Sequence, residues 1–329
     1  MQMTVTEVDA KNRNALPHTI SVERTSSPAP LTDYFSGNER SLRELLYEHG
    51  AILFSGFNVT DDIGFGRVAA HMASPLSDYR GGVASRRQLG GGVYNSTDLS
   101  PDRTLAPHNE KSYSASHPDL VLFCCVTPAA TGGATPLADG RRVWRRLSER
   151  LRDEFRTRRI IFIQNLRGED RGAGKSWMEA YQTQNPGQVE EFLRSIGANF
   201  SWKRDGSLHV EETLSPIKVH PVTSAEALFC PADTWYLSAE KFGGGREGAK
   251  RASDEYYQYC RFEDGDEIAP WTIAEIKSAV ADELREFQWR RGDVLLIDNR
   301  IVLHGRASFT GDRLVLVAMG TDRPRRASD

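Results

Sequence analysis

Cysteine is scarce in this chain: Cys124, Cys125, Cys230 and Cys260 are the only four among 329 residues. Two are adjacent and two are remote, so they make neither a zinc spacing nor a disulfide framework. No run of 18 apolar residues occurs, which argues against a membrane-spanning helix. The opening MQMTVTEVDAKNRN has no apolar stretch of the kind a secretory signal needs. Positive charge is not in excess, since 42 Lys and Arg face 45 Asp and Glu. That balance excludes a general polyanion binder, which carries a net basic face. No internal repeat and no long linker are evident. These absences predict a soluble cytoplasmic protein with reduced thiols and with no nucleic-acid or membrane partner.

What is present is a chain able to bury a full core, 39% hydrophobic and 26% charged. Its length alone suggests two domains, but β-rich single domains routinely run this long. Residues 1–30 are polar and end in SSPAP, which reads as an N-terminal arm with at most one strand, at HTISVER. In SLRELLYEHG, Leu42, Leu45 and Leu46 share a helix face and Gly50 is a stop. Asp61 and Asp62 are suited to cap a second helix running to about Met72. The Gly- and Arg-rich stretch 81–92 reads as a surface loop. Apolar runs of strand type are AILFSGF, DLVLFCCVT, IIFIQNL, EALFC, FQW, DVLLIDN and LVLVAMG. The spacing of Val143, Leu147, Leu151 and Phe155 predicts one helix over 141–159, and TIAEIKSAVADELREF predicts another. Many short strands decorated with helices predict a mainly β, α+β chain with a closed β core rather than a βαβ series. One domain, 31–325, would carry helical insertions.

Three histidines have an acid two residues on: His108/Glu110, His117/Asp119 and His209/Glu211. On a strand, residues i and i+2 share a face, so such a pair can grip one ion. With 45 acids in the chain the pattern is common by chance, and a polar strand edge is the simpler reading of any one pair. Context separates them. Pro118 disfavours a regular strand at His117, and His209 lies in the polar segment SLHVEET. HNEKSY, residues 108–113, stands just before the apolar run DLVLFCCVT. A third partner, His304, lies in DVLLIDNRIVLHGRASFTGDR, with Arg313 nine residues beyond it. Two histidines and a carboxylate on one face of Fe(II) leave three positions open for a co-substrate and O2. A zinc hydrolase could use the same ligands. Arg313 favours the oxygenase, because a guanidinium there suits a co-substrate carboxylate.

The order HNE, GGATPLADG, GDVLLIDNRIVLHGR and F-x-G-x-R resembles the TauD/TfdA family of Fe(II)/2-oxoglutarate dioxygenases, and within it a SyrP-like branch. The resemblance spans about residues 35–320. It implies a double-stranded β-helix, a jelly-roll or cupin-like core. It implies an iron triad of His108, Glu110 and His304, with Thr135 and Arg313 holding 2-oxoglutarate. The implied reaction couples decarboxylation of 2-oxoglutarate to hydroxylation of an unactivated C–H. The substrate would be an amino acid, free or tethered to an acyl or peptidyl carrier protein, in natural-product biosynthesis. Desaturation or cyclisation on the same triad, a zinc hydrolase and a non-catalytic binding protein are the alternatives. Two departures matter. Many members have Asp where Glu110 stands, and halogenating relatives have no carboxylate, so Glu110 predicts oxygenation. Many also carry a second arginine where this chain has Val317, which makes a sulfonate substrate a poor expectation.

Four further features have two readings each. Arg306, two residues after His304, is a candidate substrate-carboxylate contact or a structural ion pair. Asn95, in VYNSTD, is a candidate substrate contact. Asn109, between two ligands, is expected to point away from the metal and support it. The segment 141–159 holds nine arginines and three acids. It suits an acidic partner such as a carrier protein, or, more simply, a solvated face whose long side chains cover apolar surface. GGGREG at 243–248 matches a dinucleotide fingerprint only formally, because no βαβ unit surrounds it. It reads as a loop, and as a candidate lid.

Overall fold

The computed structural model describes residues 5–7, 15–22, 31–76, 80–82, 86–168, 174–236 and 256–322. GGGREG lies outside them. Among the described residues, no helix is long and apolar enough to cross a membrane.

A nine-stranded sheet runs in the spatial order Val5–Glu7, His18–Val22, Ala51–Ser55, Val294–Asp298, Leu120–Thr127, Leu314–Thr321, Val93–Asn95 and Gln88–Gly90, with Ser74–Pro75 beside the Leu314–Thr321 strand. The apolar runs are continuous because both faces of this sheet are covered. Ile52, Phe54, Leu122, Cys124, Leu296 and Leu316 pack on one side against helix residues Leu42, Leu46, Phe65 and Met72. The alternate residues Leu53, Phe123, Cys125, Leu295, Val315 and Val317 face the other way, toward Leu137, Ile301 and Val302. Period-2 alternation thus divides each strand between two cores. All four cysteines are buried in apolar surroundings, as free thiols.

The second face is closed by a three-stranded sheet in the order Leu137–Asp139, Val302–Arg306 and Leu105–His108. A four-stranded sheet, Asn199–Trp202, Leu208–Leu214, Ile160–Leu166 and Gln258–Phe262, extends the molecule beyond it. The core is mainly β with helices outside, as expected.

The helix expectations hold in part. Leu31–His49 is helical with a kink at Asn38; Leu42 and Leu46 are buried, and Gly50 follows at φ +81°. Asp61 caps Asp62–Met72 by accepting from Gly64 N. The 141–159 segment is two helices, Gly140–Arg146 and Glu149–Thr157. Leu147 is extended, and the Ser148 hydroxyl caps the second helix at Leu151 N. The apolar spacing survives this break because all four of its residues still reach one core. FQW is not a strand: residues 286–290 are irregular, with Phe287 and Trp289 turned to the core for packing rather than pairing. The helix near it ends at Glu283. The arm is also more integrated than its composition suggests, since His18–Val22 pairs in parallel with the Ala51–Ser55 strand.

The arginines of 141–159 are largely spent inside the fold. Arg141 grips Asp139, Arg146 Glu283, Arg156 Glu226, and Arg158 holds Glu154, Asp264 and Asp266. Arg150 lies over the Trp271 ring.

Candidate active site

The strand partners bring the site together. His304 is the direct cross-strand neighbour of His108, their ring centroids 4.8 Å apart. Gly305 permits this approach, because a Cβ there would lie 2.5 Å from the Leu105 carbonyl oxygen. Glu110 does not share the strand with His108, as the i, i+2 argument assumes. The strand ends at His108, and Glu110 starts a turn in which Lys111 has φ +54°. What aims Glu110 is Asn299. Its Oδ1 accepts from Glu110 N at 2.7 Å, and its Nδ2 donates to the Glu110 and Pro118 carbonyls at 3.0 and 2.8 Å. Asn109 points away from the triad and donates to the Asn299 and Val302 carbonyls. Two asparagines nearly two hundred positions apart thereby lock the HNE turn to the 294–306 hairpin.

One ligand atom from each of His108, Glu110 and His304 lies within 4.8 Å of the others, the only such group of His, Cys, Asp or Glu found among the described residues. The donor chemistry fits a divalent cation. His108 Nδ1 is 2.9 Å from the Ala106 carbonyl, which can only accept, so a neutral ring offers its Nε2 lone pair. Burial, and then His108, push the His304 imidazole down to about 3, so it is neutral at physiological pH. The other two pairs are engaged elsewhere. His117 meets Lys218 at 2.7 Å, and burial with that neighbour pushes it down to about 4. His209 bonds Asn165 and Glu211.

Two spaces adjoin the triad. A cavity of about 470 Å³ is lined by residues including Asp98, His108, Glu110, Lys111, Trp235 and Gln258. A recess of about 20 Å³ is lined by residues including His108, Thr135, His304 and Arg313. Arg313 reaches the recess past Gly133, where a Cβ would lie 3.1 Å from its Cδ, and donates to the Gly133 carbonyl at 3.2 Å. Burial, and then Arg306, push its guanidinium down to about 10, which still leaves it cationic at neutral pH. Trp289 Nε1 donates to Thr135 Oγ1 at 3.0 Å, so the threonine keeps its own proton to donate into the recess.

Two sequence candidates are placed differently. Arg306 borders the recess, but its Nη atoms donate to the Leu99, Ser100 and Arg103 carbonyls. Through those Nη atoms it holds the 99–103 loop. Asn95 accepts from Arg87 N and donates to Asp98, and the cavity is lined by its neighbours Ser96 and Thr97 instead. Val317 is fully buried between the sheets. Three residues went unnoticed in the sequence: Asn299, Trp289 and Arg86, whose Nη2 is 2.5 Å from Glu110 Oε2. Asn299 follows an apolar strand as any turn residue would, Trp289 reads as core, and Arg86 sits in a Gly-rich stretch with no spacing signal.

The family model described as taurine catabolism dioxygenase TauD, TfdA family matches residues 12–319. The chain belongs to the TauD/TfdA family. It is a non-haem iron dioxygenase that uses Fe(II), 2-oxoglutarate and O2. The TauD/TfdA chain is 30% identical over 304 residues to the dapdiamide synthesis protein DdaC of Enterobacter agglomerans, covering 92% of this chain and 91% of DdaC. It is 26% identical over 316 residues to a clavaminate synthase-like protein of Arabidopsis thaliana, covering 92% and 93%. Among solved structures it is similar to PvcB, described as an Fe, alpha-ketoglutarate dependent oxygenase from an isonitrile synthetic pathway. That likeness has a TM-score of 0.52 at 14% identity, covers 97% and 91% of the two chains, and bears on the jelly-roll fold alone.

Loss of an orienting partner beyond the ligands typically costs about 10- to 100-fold in metal affinity. Asn299→Ala is therefore expected to weaken Mn(II) binding by that amount, with every cavity-lining residue unchanged. An isotherm superimposable on the wild type's would remove Asn299 from the site.

Proposed function

We propose that this dioxygenase hydroxylates an unactivated C–H of an amino acid, free or carrier-tethered, in natural-product biosynthesis. His108, Glu110 and His304 would hold Fe(II). Thr135 and Arg313 would hold the far carboxylate of 2-oxoglutarate. The observation that carries this reading is the convergence of the triad with one buried guanidinium in a recess, beside a larger cavity with room for a second small molecule. A binuclear clamp or hydrolytic water does not need Arg313; a dicarboxylate co-substrate does.

Iron held by His108, Glu110 and His304 would supply the redox chemistry by which O2 is consumed, one oxygen atom going to succinate as 2-oxoglutarate loses CO2 and the other to the substrate. The chain's own residues supply position. Trp289 fixes the Thr135 hydroxyl, and Arg313 gives a fork of donors matched to a carboxylate. Asn299 and Asn109 fix the turn that carries Glu110. The cavity lining carries both signs, with Asp98 and Glu110 alongside Arg86 and Lys111, which suits a zwitterion such as an amino acid. The relative DdaC, a dapdiamide synthesis protein, supports a biosynthetic setting. The arginines of 141–159 give little support to carrier docking, since so many of them are neutralised within the fold.

The test is anaerobic addition of Fe(II) and 2-oxoglutarate, followed by a succinate assay with amino acids, free and carrier-loaded. A visible charge-transfer band and substrate-dependent succinate are expected. A zinc hydrolase would give neither, and a binding protein would give the band without succinate. Arg313→Ala removes one side of a buried charge pair, a loss of about 2–5 kcal/mol. The KM for 2-oxoglutarate should accordingly rise at least about 30-fold. An unchanged KM would move the co-substrate to another site.

A further inference from the structure

Gln258–Phe262 is the edge strand of the four-stranded sheet, and its alternate residues Gln258, Cys260 and Phe262 are all buried. Cys260 and Phe262 belong to an apolar core with Ile160, Phe162 and Trp235. Period 2 therefore sets a glutamine where the pattern calls for an apolar side chain. Such a break in an otherwise consistent pattern marks a functional or strained position. Gln258 is 6% exposed, and its Nε2 is buried from solvent with no hydrogen-bond acceptor. Its cross-strand neighbour Gln164, also buried, does not accept from it. Buried amide donors are nearly always paired, because an unpaired one in apolar surroundings is costly. What Gln258 adjoins is the cavity of about 470 Å³, which it lines together with His108, Glu110 and Trp235. The Trp235 ring is held between Tyr113, at 5.1 Å, and Phe162, at 5.3 Å. The terminal torsion of a glutamine is broad and two-fold, so a turn of the amide carries its N–H to the cavity. The recess beside Thr135 and Arg313 is lined by other residues, so this amide adjoins the substrate's space and not the co-substrate's.

We propose that Gln258 is a specificity-determining residue of the substrate cavity, its Nε2 donating to an acceptor oxygen of the bound substrate. This rests on the reading of the cavity as the site of an amino acid, and it deepens that reading by stating what the substrate must carry. An N–H can only donate, so the matching group is a carbonyl or carboxylate oxygen. Folding has already removed this N–H from water. A substrate oxygen therefore meets a donor with no hydration left to lose, in surroundings of low dielectric that strengthen the bond. A substrate with only alkyl groups at this wall leaves the donor unpaired, which is how a polar site rejects an apolar analogue. His108 and His304 sit on the three-stranded sheet and Gln258 on the four-stranded one, so the reacting carbon and the recognised oxygen are set by different walls.

The full-length protein, loaded with Mn(II) and N-oxalylglycine so that no turnover occurs, is titrated calorimetrically with L-glutamine, L-methionine and L-methioninol. The first two match in length and differ in the side-chain amide; the last two differ in the carboxylate. The same titrations are made on Gln258→Met, which keeps the length of the side chain and has no donor. In the wild type the oxygen-bearing member of one pair should bind about tenfold more tightly than its counterpart, and the variant should lose that preference. Loss in the first pair names a side-chain carbonyl as the partner of Gln258; loss in the second names the carboxylate. Amino-acid binding whose preferences are the same in Gln258→Met overturns the proposal and leaves the amino-acid reading standing. Binding of none of the three to the wild type sinks that reading and the proposal with it. The unfolding midpoint of the same loaded protein, without amino acid, gives a second readout. Removal of an unpaired buried donor should raise the midpoint of Gln258→Met by at least about 2 °C. A lowered midpoint would show that the amide is held within the fold, and would overturn the proposal.

Discussion

His304→Ala is expected to cut substrate-dependent succinate formation by at least about a thousandfold, a loss of about 4 kcal/mol in transition-state stabilisation. The reason is geometric. His304 is the one triad member supplied by the 294–306 hairpin, and it faces His108 across the strand pair. No other His, Cys, Asp or Glu joins this group among the described residues, so nothing there can take its place. The fold should survive. The ring packs edge-on against Phe123 at 5.2 Å, and truncation leaves a small gap whose cost falls in the common range of about 0.5–3 kcal/mol. Calorimetry should therefore show a cooperative transition lowered by only a few degrees. Succinate formation above one-hundredth of the wild-type rate would sink the triad assignment.

The largest effect on stability is expected behind the site, at Asp298. Its side chain is fully buried and accepts from Arg300 Nε at 2.8 Å, Arg300 Nη2 at 2.6 Å and His220 Nε2 at 2.9 Å. Arg300 also reaches Asp322, which in turn receives Arg43 and the Tyr47 hydroxyl. The network ties the last strand of the main sheet to the first long helix. Asp298→Asn removes the negative charge and leaves Arg300 and His220 short of an acceptor, at a cost of about 3–5 kcal/mol. At about 2–4 °C per kcal/mol for a chain of this size, the midpoint should fall by about 10 °C.

The pH dependence of this difference has a definite sign. Burial alone would raise the Asp298 pKa, but the hydrogen bonds from Arg300 and then His220 hold it below the ordinary 3.8. A depressed carboxyl favours the folded state while it is ionised, so its contribution is complete at neutral pH. It is lost as pH falls through the lowered value. The gap in midpoint between wild type and Asp298→Asn should hold from neutrality down to about pH 4 and shrink below it. A gap independent of pH down to the acid limit would show that shape, not charge, is what the Asp298→Asn variant lacks.

The strands and the chemistry were legible for the same reason: both are written in local patterns. Apolar runs such as LVLFCCVT and VLLID, caps such as Asp61, and ligand-competent residues at HNE and HGR are properties of neighbours in sequence. They sufficed to anticipate a closed β core and to single out His108, Glu110, His304 and Arg313 as candidates, whereas Thr135 came only from the resemblance to the family. Where a local pattern met a non-local partner, it misled. The spacing over 141–159 is that of one helix, yet the hydroxyl of Ser148 caps a new one and Glu275 holds its backbone N–H. Asn95 has the placement of a substrate contact, yet it accepts from Arg87 N and donates to Asp98, and its neighbours Ser96 and Thr97 line the cavity.

The sequence by itself determined which groups are available to the metal and the co-substrate, because ligand chemistry is a property of residue type. Only the tertiary structure decided how they are aimed. Asn299 reaches Glu110 across 189 positions, Trp289 reaches Thr135 across 154, and Arg86 arrives from an irregular stretch to hold a Glu110 carboxylate oxygen. Hydrogen bonds between side chains so far apart leave no periodicity in the chain. They exist only once the strand register has brought His108 opposite His304.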